Sequence, residues 1–162
     1  MKIYIVGVVG SGKTTLAKRW SNELGIPFHE LDCIIYSGND KDRHKRSPER
    51  QRQLIDEIDQ NEHWIIEGTY RESCHCLLDY ADKIVFLDTP LWRRLMRIFS
   101  RHIRQVLHIE PCHYIPTFKM LKYMYRLTMD FEKNKTAYLS KLTPYQNKLM
   151  IIHSNENVSL MD

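Results

Sequence analysis

Gly7-Val8-Val9-Gly10-Ser11-Gly12-Lys13-Thr14 meets the phosphate-binding loop pattern Gly-x-x-x-x-Gly-Lys-[Ser/Thr] at every fixed position. The flanks suit the motif. Lys2 to Val6 reads as a short buried strand, and Thr15 to Leu24 carries Leu16, Trp20 and Leu24 at helical spacing. A strand feeding a helix through glycines lets the backbone curl, so that successive N–H groups along Gly7, Val9, Gly10, Ser11 and Gly12 point inward at phosphate oxygens. The positive end of the following helix reinforces the anion site. Lys13 adds a mobile full charge, the Thr14 hydroxyl is placed to ligate the magnesium ion that accompanies a nucleoside triphosphate, and Thr15 can reach an inner phosphate.

A length of 162 residues with 43% hydrophobic content is expected to make one domain around a sizeable core, with a mobile flap over about 36–62 and a lid-like segment over about 104–117. The chain starts directly in a strand, shows no signal peptide and has no apolar run near the ~20 residues of a membrane span, so a cytoplasmic location is expected. Four cysteines, Cys33, Cys74, Cys76 and Cys112, lack zinc-knuckle spacing and read as thiols in preference to a structural metal site. A net charge of +4 favours anionic small molecules over a dedicated nucleic-acid surface.

Along the chain, Gly25 closes the first helix and Pro27 keeps it from resuming. Pro27 to Leu31 then reads as a short strand that delivers Asp32 to the carboxyl edge of a parallel sheet, where open α/β folds bind ligands. The charged stretch 37–46 offers no core face, and its basic residues could meet a substrate phosphate. Ser47-Pro48 starts a helix with Leu54, Ile55 and Ile58 on one side. Two apolar runs each end in an acid, His63 to Glu67 and Lys83 to Asp88, so Glu67 and Asp88 both qualify to hold magnesium through water. The loop Thr69-Tyr70-Arg71 emerges at the same edge as the phosphate-binding loop and can touch a second ligand.

Thr89-Pro90 caps a helix running from Leu91 to about Leu107. Leu91, Leu95, Ile98, Phe99, Ile103 and Val106 share one broad side, and Arg93, Arg94, Arg97, Arg101 and Arg104 occupy an arc on the other. No acidic residue lies between Leu91 and Ile109 to neutralise that arc. Guanidinium forks in such an array match phosphate oxygens. Helices are expected over Phe118 to Phe131 and Thr136 to Lys148, a last strand over Leu149 to His153, and a loop Ser154-Asn155-Glu156-Asn157 beyond it. The alternation of strands and helices implies a three-layer α/β fold with a parallel sheet.

The loop at 7 to 14, Leu31-Asp32, Trp64-Ile65-Ile66-Glu67-Gly68-Thr69-Tyr70-Arg71, the strand running into Asp88 and the Arg97/Arg101 spacing together resemble adenylate kinase-like P-loop proteins, most closely the branch of DNA topology modulation proteins (FlaR-related). The resemblance implies a P-loop nucleoside-triphosphate hydrolase fold of the nucleoside monophosphate kinase type, with a five-stranded parallel sheet. It implies ATP and Mg2+ as cofactors, Glu67 in the magnesium shell and Arg71 gripping an acceptor's phosphate. Arg97 and Arg101 would act as lid arginines, and Asn155 would lie in the loop bordering the adenine. Two features depart from it: the strand-three motif usually carries Asp where Glu67 stands, and the Thr-Gly-Asp-x-x-Arg stretch of adenylate kinases is missing after Asp32. Asp88-Thr89-Pro90-Leu91 in place of Asp-x-x-Gly, and Asn134-Lys135-Thr136-Ala137 without a guanine-reading aspartate, favour ATP over GTP. The expected activity is therefore phosphoryl transfer from ATP to a small-molecule acceptor held by Asp32, Tyr70 and Arg71. The rival is a nucleotide-binding regulator that contacts DNA through the basic helix.

Overall fold

The computed structural model describes residues 1–38, 42–109 and 117–154. Ile3, Tyr4, Ile5 and Val6 are all fully buried, which marks β1 (Lys2–Gly7) as a strand covered on both faces. Its neighbours are β5 (Trp64–Gly68) and β6 (Lys83–Leu87), with β2 (Phe28–Glu30) and β7 (Leu149–Ile152) outside them. The five strands are parallel, in the order β2-β5-β1-β6-β7. Alternation along each strand sends Tyr4, Val6, Ile66, Ile84 and Phe86 into one core, and Ile3, Ile5, Ile65, Val85 and Leu87 into the other. The second core is closed by Leu16, Ala17 and Trp20 of α1 (Lys13–Leu24). The fold is thus the expected three-layer α/β P-loop fold with five parallel strands.

Local chemistry sets several boundaries as the sequence suggests. Gly25 ends α1 at φ 66°, its N–H bonded to the Ser21 carbonyl. Ser47 caps α3 (Pro48–Asp59), accepting from the Arg50 N–H, with Pro48 in the first turn. The polar stretch before α3 is organised: Tyr36–Ser37 (β3) pairs antiparallel with His44–Lys45 (β4), and the Arg46 guanidinium donates to the Cys33 and Ile34 carbonyls at 2.7 and 2.9 Å.

Three expectations need correction. Leu31 is not the end of a strand but opens a short helix, α2 (Leu31–Ile35), so Asp32 stands in its first turn. The cause is packing: Leu31 presses so close to β5 that a Cβ on Gly68 would lie 2.4 Å from its own. Thr89 does not cap the next helix; its hydroxyl donates 2.8 Å to the Ser11 carbonyl. The two C-terminal helices are one, α6 (Phe118–Ser140), followed by a 3-10 turn at Thr143–Tyr145 that accommodates Pro144. Phe131 and Tyr138, two helical turns apart, both face Phe86, with ring centroids 6.4 and 5.6 Å away, which holds the helix through the polar stretch between them.

The seating of α5 (Leu91–Val106) is left open by its periodicity. An amphipathic helix ordinarily turns its apolar side to the core. Here the inward side is mixed: Arg94, 1% exposed and paired with Glu132 of α6, is buried together with Ile98 and Gln105, while Phe99, Ile103, Val106 and Arg104 are exposed. The polar part of that seat is lined by carbonyls and carboxylates, which select guanidinium groups over methyls. Of the lid-like segment, 110–116 lies outside the described residues, as does Asn155.

Candidate nucleotide and acceptor site

The loop between β1 and α1 is built by two left-handed glycines, Gly10 at φ 76° and Gly12 at φ 98°. A Cβ on Gly10 would fall 2.9 Å from the Arg94 carbonyl oxygen, so the loop lies directly on the backbone of α5. Arg97 adds a second tie, donating 2.8 Å to the Ser11 carbonyl. The Thr89 hydroxyl donates to that same carbonyl, and within the loop the Ser11 N–H donates 3.2 Å to the Val8 carbonyl. The Ser11 hydroxyl is buried without a hydrogen-bond partner in this curl. These features fit a triphosphate: a glycine loop curled ahead of a helix N-terminus, with a buried hydroxyl left without a partner.

Lys13 Nζ donates 3.0 Å to the Val8 carbonyl across the loop. Burial holds this ammonium below its ordinary value; Glu67 and Asp32 act in the opposite direction, and Arg101 adds to the fall. Lys13, Glu67, Asp32 and Arg101 therefore share one electrostatic neighbourhood although they come from four elements. The Arg101 guanidinium itself rests on the Met124 sulfur at 3.6 Å. Thr15 is exposed on the first turn of α1.

Glu67 and Asp88, equivalent as sequence candidates, are separated by their partners. Thr14 Oγ1 donates 2.6 Å to Glu67 Oε1, whereas Asp88 is held by Lys135 at 2.6 Å. The Glu67 carboxyl is pushed up by burial, with Lys13 and the Thr14 hydrogen bond opposing, and Glu30 and Asp32 adding to the rise. Glu30 is its register partner on β2. An acid in this state gains from a nearby cation, which is the requirement on a residue in a magnesium shell.

Asp32 and Arg71 meet: Arg71 Nη2 lies 3.4 Å from Asp32 Oδ1, at the carboxyl edge of the sheet. The Arg71 guanidinium also stands 5.8 Å from the Tyr36 ring, which Arg43 covers from 4.5 Å. The Arg71 Nε is buried with no hydrogen-bond partner. Two arginines, an aspartate and an aromatic ring are thus linked by contacts, and Asp32 is near enough to Lys13 to act on it. Tyr70 is not brought there. Its ring turns to Tyr138 and His75, its hydroxyl lies 3.0 Å from His75 Nδ1, and Lys141 sits 5.3 Å over it. Sequence reasoning missed Glu30, the tie from Thr89 to the loop and the buried role of Arg94, and it had Arg43 only as one of the basic residues of 37–46 that could meet a substrate phosphate.

Among the described residues no helix is long and apolar enough to cross a membrane, and no three His, Cys, Asp or Glu side chains are grouped to hold a metal by themselves. Uncharacterized protein YqaC of Bacillus subtilis (strain 168) is 36% identical over 104 residues, 64% of this chain. The matched region spans 57% of that protein's length. Shikimate kinase from Bacteroides thetaiotaomicron superposes with a TM-score of 0.56 at 20% identity, covering 98% of this chain and 89% of that one. Deoxyadenosine kinase from M. mycoides with bound dATP gives 0.55 at 15% identity, covering 99% and 94%. These two likenesses are of fold. Residues 3–98, more than half of the chain, match the family described as ATPase family associated with various cellular activities (AAA). With the glycine loop, its lysine and the flanking parallel strands in place, the chain belongs to that family of P-loop nucleoside triphosphatases.

Proposed function

We propose that this protein is a small ATP-dependent kinase that transfers the γ-phosphoryl group to a small acceptor carrying a hydroxyl or amino group and an anionic group. The observation that carries the reading is the Asp32–Arg71 pair at 3.4 Å, close enough to the loop for Asp32 to act on Lys13. A nucleotide hydrolase that uses only water has no need of a second charged pocket there. The fold shared with two chains named as kinases agrees with it. The resemblance to the FlaR-related branch, a single catalytic domain and a cytoplasmic setting belong to the same reading.

In this reading, the backbone from Gly7 through Thr15 cradles the phosphates and Lys13 bridges the outer two. Magnesium would supply charge neutralisation between the β- and γ-phosphates, and Thr14 and, through water, Glu67 are the residues to hold it. Arg71 binds the acceptor's anionic group. Asp32 takes the proton from the attacking hydroxyl or amine as its O or N bonds to the γ-phosphorus, while the bond from that phosphorus to the bridging oxygen breaks and ADP leaves. Arg101, beside Lys13, meets the charge on the transferring group. Arg97 acts by holding the loop. DNA contact through α5 is disfavoured, because Arg94 and Arg97 are engaged with Glu132 and the Ser11 carbonyl and Arg101 acts on Lys13.

The test is incubation with γ-labelled ATP, magnesium and a panel of nucleotides, nucleosides and hydroxylated acids. Label should appear on an anionic acceptor, and Asp32→Asn and Arg71→Ala should raise its KM or lower kcat with ATP affinity unchanged. Label found only in free phosphate for every candidate, at rates indifferent to both substitutions, would overturn it.

A further inference from the structure

The outer side of α5 is apolar and, among the described residues, uncovered. Trp92, Met96, Phe99, Ile103 and Val106 are 62, 61, 48, 42 and 48% exposed. They follow one another at alternating steps of four and three residues, the 3.5-residue seam of helices that pair along their length. Scattered exposed hydrophobics are ordinary on a protein surface, but a continuous row of about 22 Å, at 1.5 Å per residue, is not. The helix cannot turn this row inward, since its other side is committed to Glu132 and the loop carbonyls.

We propose that this seam is a homodimer interface in which α5 packs antiparallel against α5 of a second copy about a twofold axis. A twofold axis between Met96 and Phe99 makes the contact self-complementary: Trp92 of one copy lies over Ile103 of the other, and Met96 over Phe99, large side chains opposite slimmer ones. Charge permits the approach. Arg93, Leu95, Ser100 and His102 flank the seam, so no ladder of like charges forms along it, and antiparallel helix dipoles attract. A lipid surface is a poorer occupant, because an interfacial helix needs several free cations beside its apolar row, whereas three of the five arginines, Arg94, Arg97 and Arg101, are engaged with Glu132, the Ser11 carbonyl and Met124. The four residues that this axis pairs, Trp92, Met96, Phe99 and Ile103, expose roughly 430 Å2 per copy, at ~200 Å2 per large apolar side chain. Twice that, about 850 Å2, is below the size of stable interfaces, so the pairing is expected to be weak and reversible. The inference does not depend on the kinase reading. It would brace from outside the helix that carries Arg94 and Arg97 against the loop.

The test is sedimentation of the full chain from about 1 to about 200 µM, the range expected of an interface this small. A monomer–dimer equilibrium is expected, and Phe99→Glu, which buries a carboxylate twice across the axis, should weaken it by more than about 100-fold. Met96→Lys should act the same way, and since both positions are exposed, unchanged circular dichroism is expected of each. In a Cys33→Ser, Cys112→Ser background, mixing Met96→Cys with Phe99→Cys should give a disulfide-linked dimer on oxidation. Trp92→Cys alone should not, because its two copies would be about 16 Å apart along the axis. A monomer at every concentration, a dimer indifferent to both charged variants, or flotation of the monomer with anionic vesicles that Phe99→Glu abolishes would each overturn the proposal.

Discussion

Gly10→Ala tests whether the phosphate-binding loop is fitted to the backbone of α5. Two separate costs attach to the added methyl. The native φ of 76° strains any L side chain by about 1–2 kcal/mol. The new Cβ would also lie 2.9 Å from the Arg94 carbonyl oxygen and 3.3 Å from the Arg94 Cα. Those are main-chain atoms of a helix anchored by a buried ion pair, so they cannot swing aside, and overpacking of this kind costs a further ~1–3 kcal/mol. The sum, about 2–5 kcal/mol, corresponds to a fall in Tm of roughly 5–15 °C for a chain this long. Gly25→Ala supplies the control: its φ is 66°, but no heavy atom lies within 4 Å of the added carbon. It should pay the strain alone, about 1–2 kcal/mol. Urea denaturation of both variants separates the two costs, and stabilisation by magnesium-ATP should be smaller for Gly10→Ala only. Equal losses at the two positions would refute the claim that α5 is the wall of the loop.

Lys13→Met should stabilise the unliganded protein at neutral pH while abolishing stabilisation by magnesium-ATP. Burial lowers the lysine's value in the folded state, so its penalty is present below that lowered value and is relieved as pH rises through it. Wild type should therefore gain on the variant as pH rises toward the ordinary lysine value of 10.5, read by denaturation at several pH values. Arg94→Ala should cost about 2–4 kcal/mol, short of the fully buried figure because the Glu132 side chain keeps 30% exposure. Arg94→Leu with Glu132→Leu should recover most of that loss in the same urea experiment. Arg97→Ala should raise the KM for ATP as well as lower kcat, since it releases the Ser11 carbonyl, whereas Arg101→Ala should lower kcat by ~10²–10³ with KM nearly unchanged. Identical kinetic patterns for the two would remove the distinction drawn from their contacts.

What the sequence determined by itself is local. Eight consecutive residues specify the loop, because its conformation needs glycines at left-handed positions and a helix start, all within one turn of chain. The alternation of apolar runs with amphipathic stretches was enough for a parallel α/β sheet, since a strand buried on both faces has no polar residue to interrupt it. The choice between Glu67 and Asp88 was beyond it. Both close a β-strand next to β1, and only the hydrogen bond from Thr14 to one and the ion pair of Lys135 with the other tell them apart. The seating of α5 shows the limit most clearly. Helical periodicity divides Leu91 to Val106 into an apolar and a basic side but contains nothing about which is inward. That was decided by Glu132, 38 residues from Arg94, and by the Ser11 carbonyl, 86 residues from Arg97. Burying a guanidinium is favourable only where such acceptors wait, and their arrival at α5 is a property of the folded chain alone.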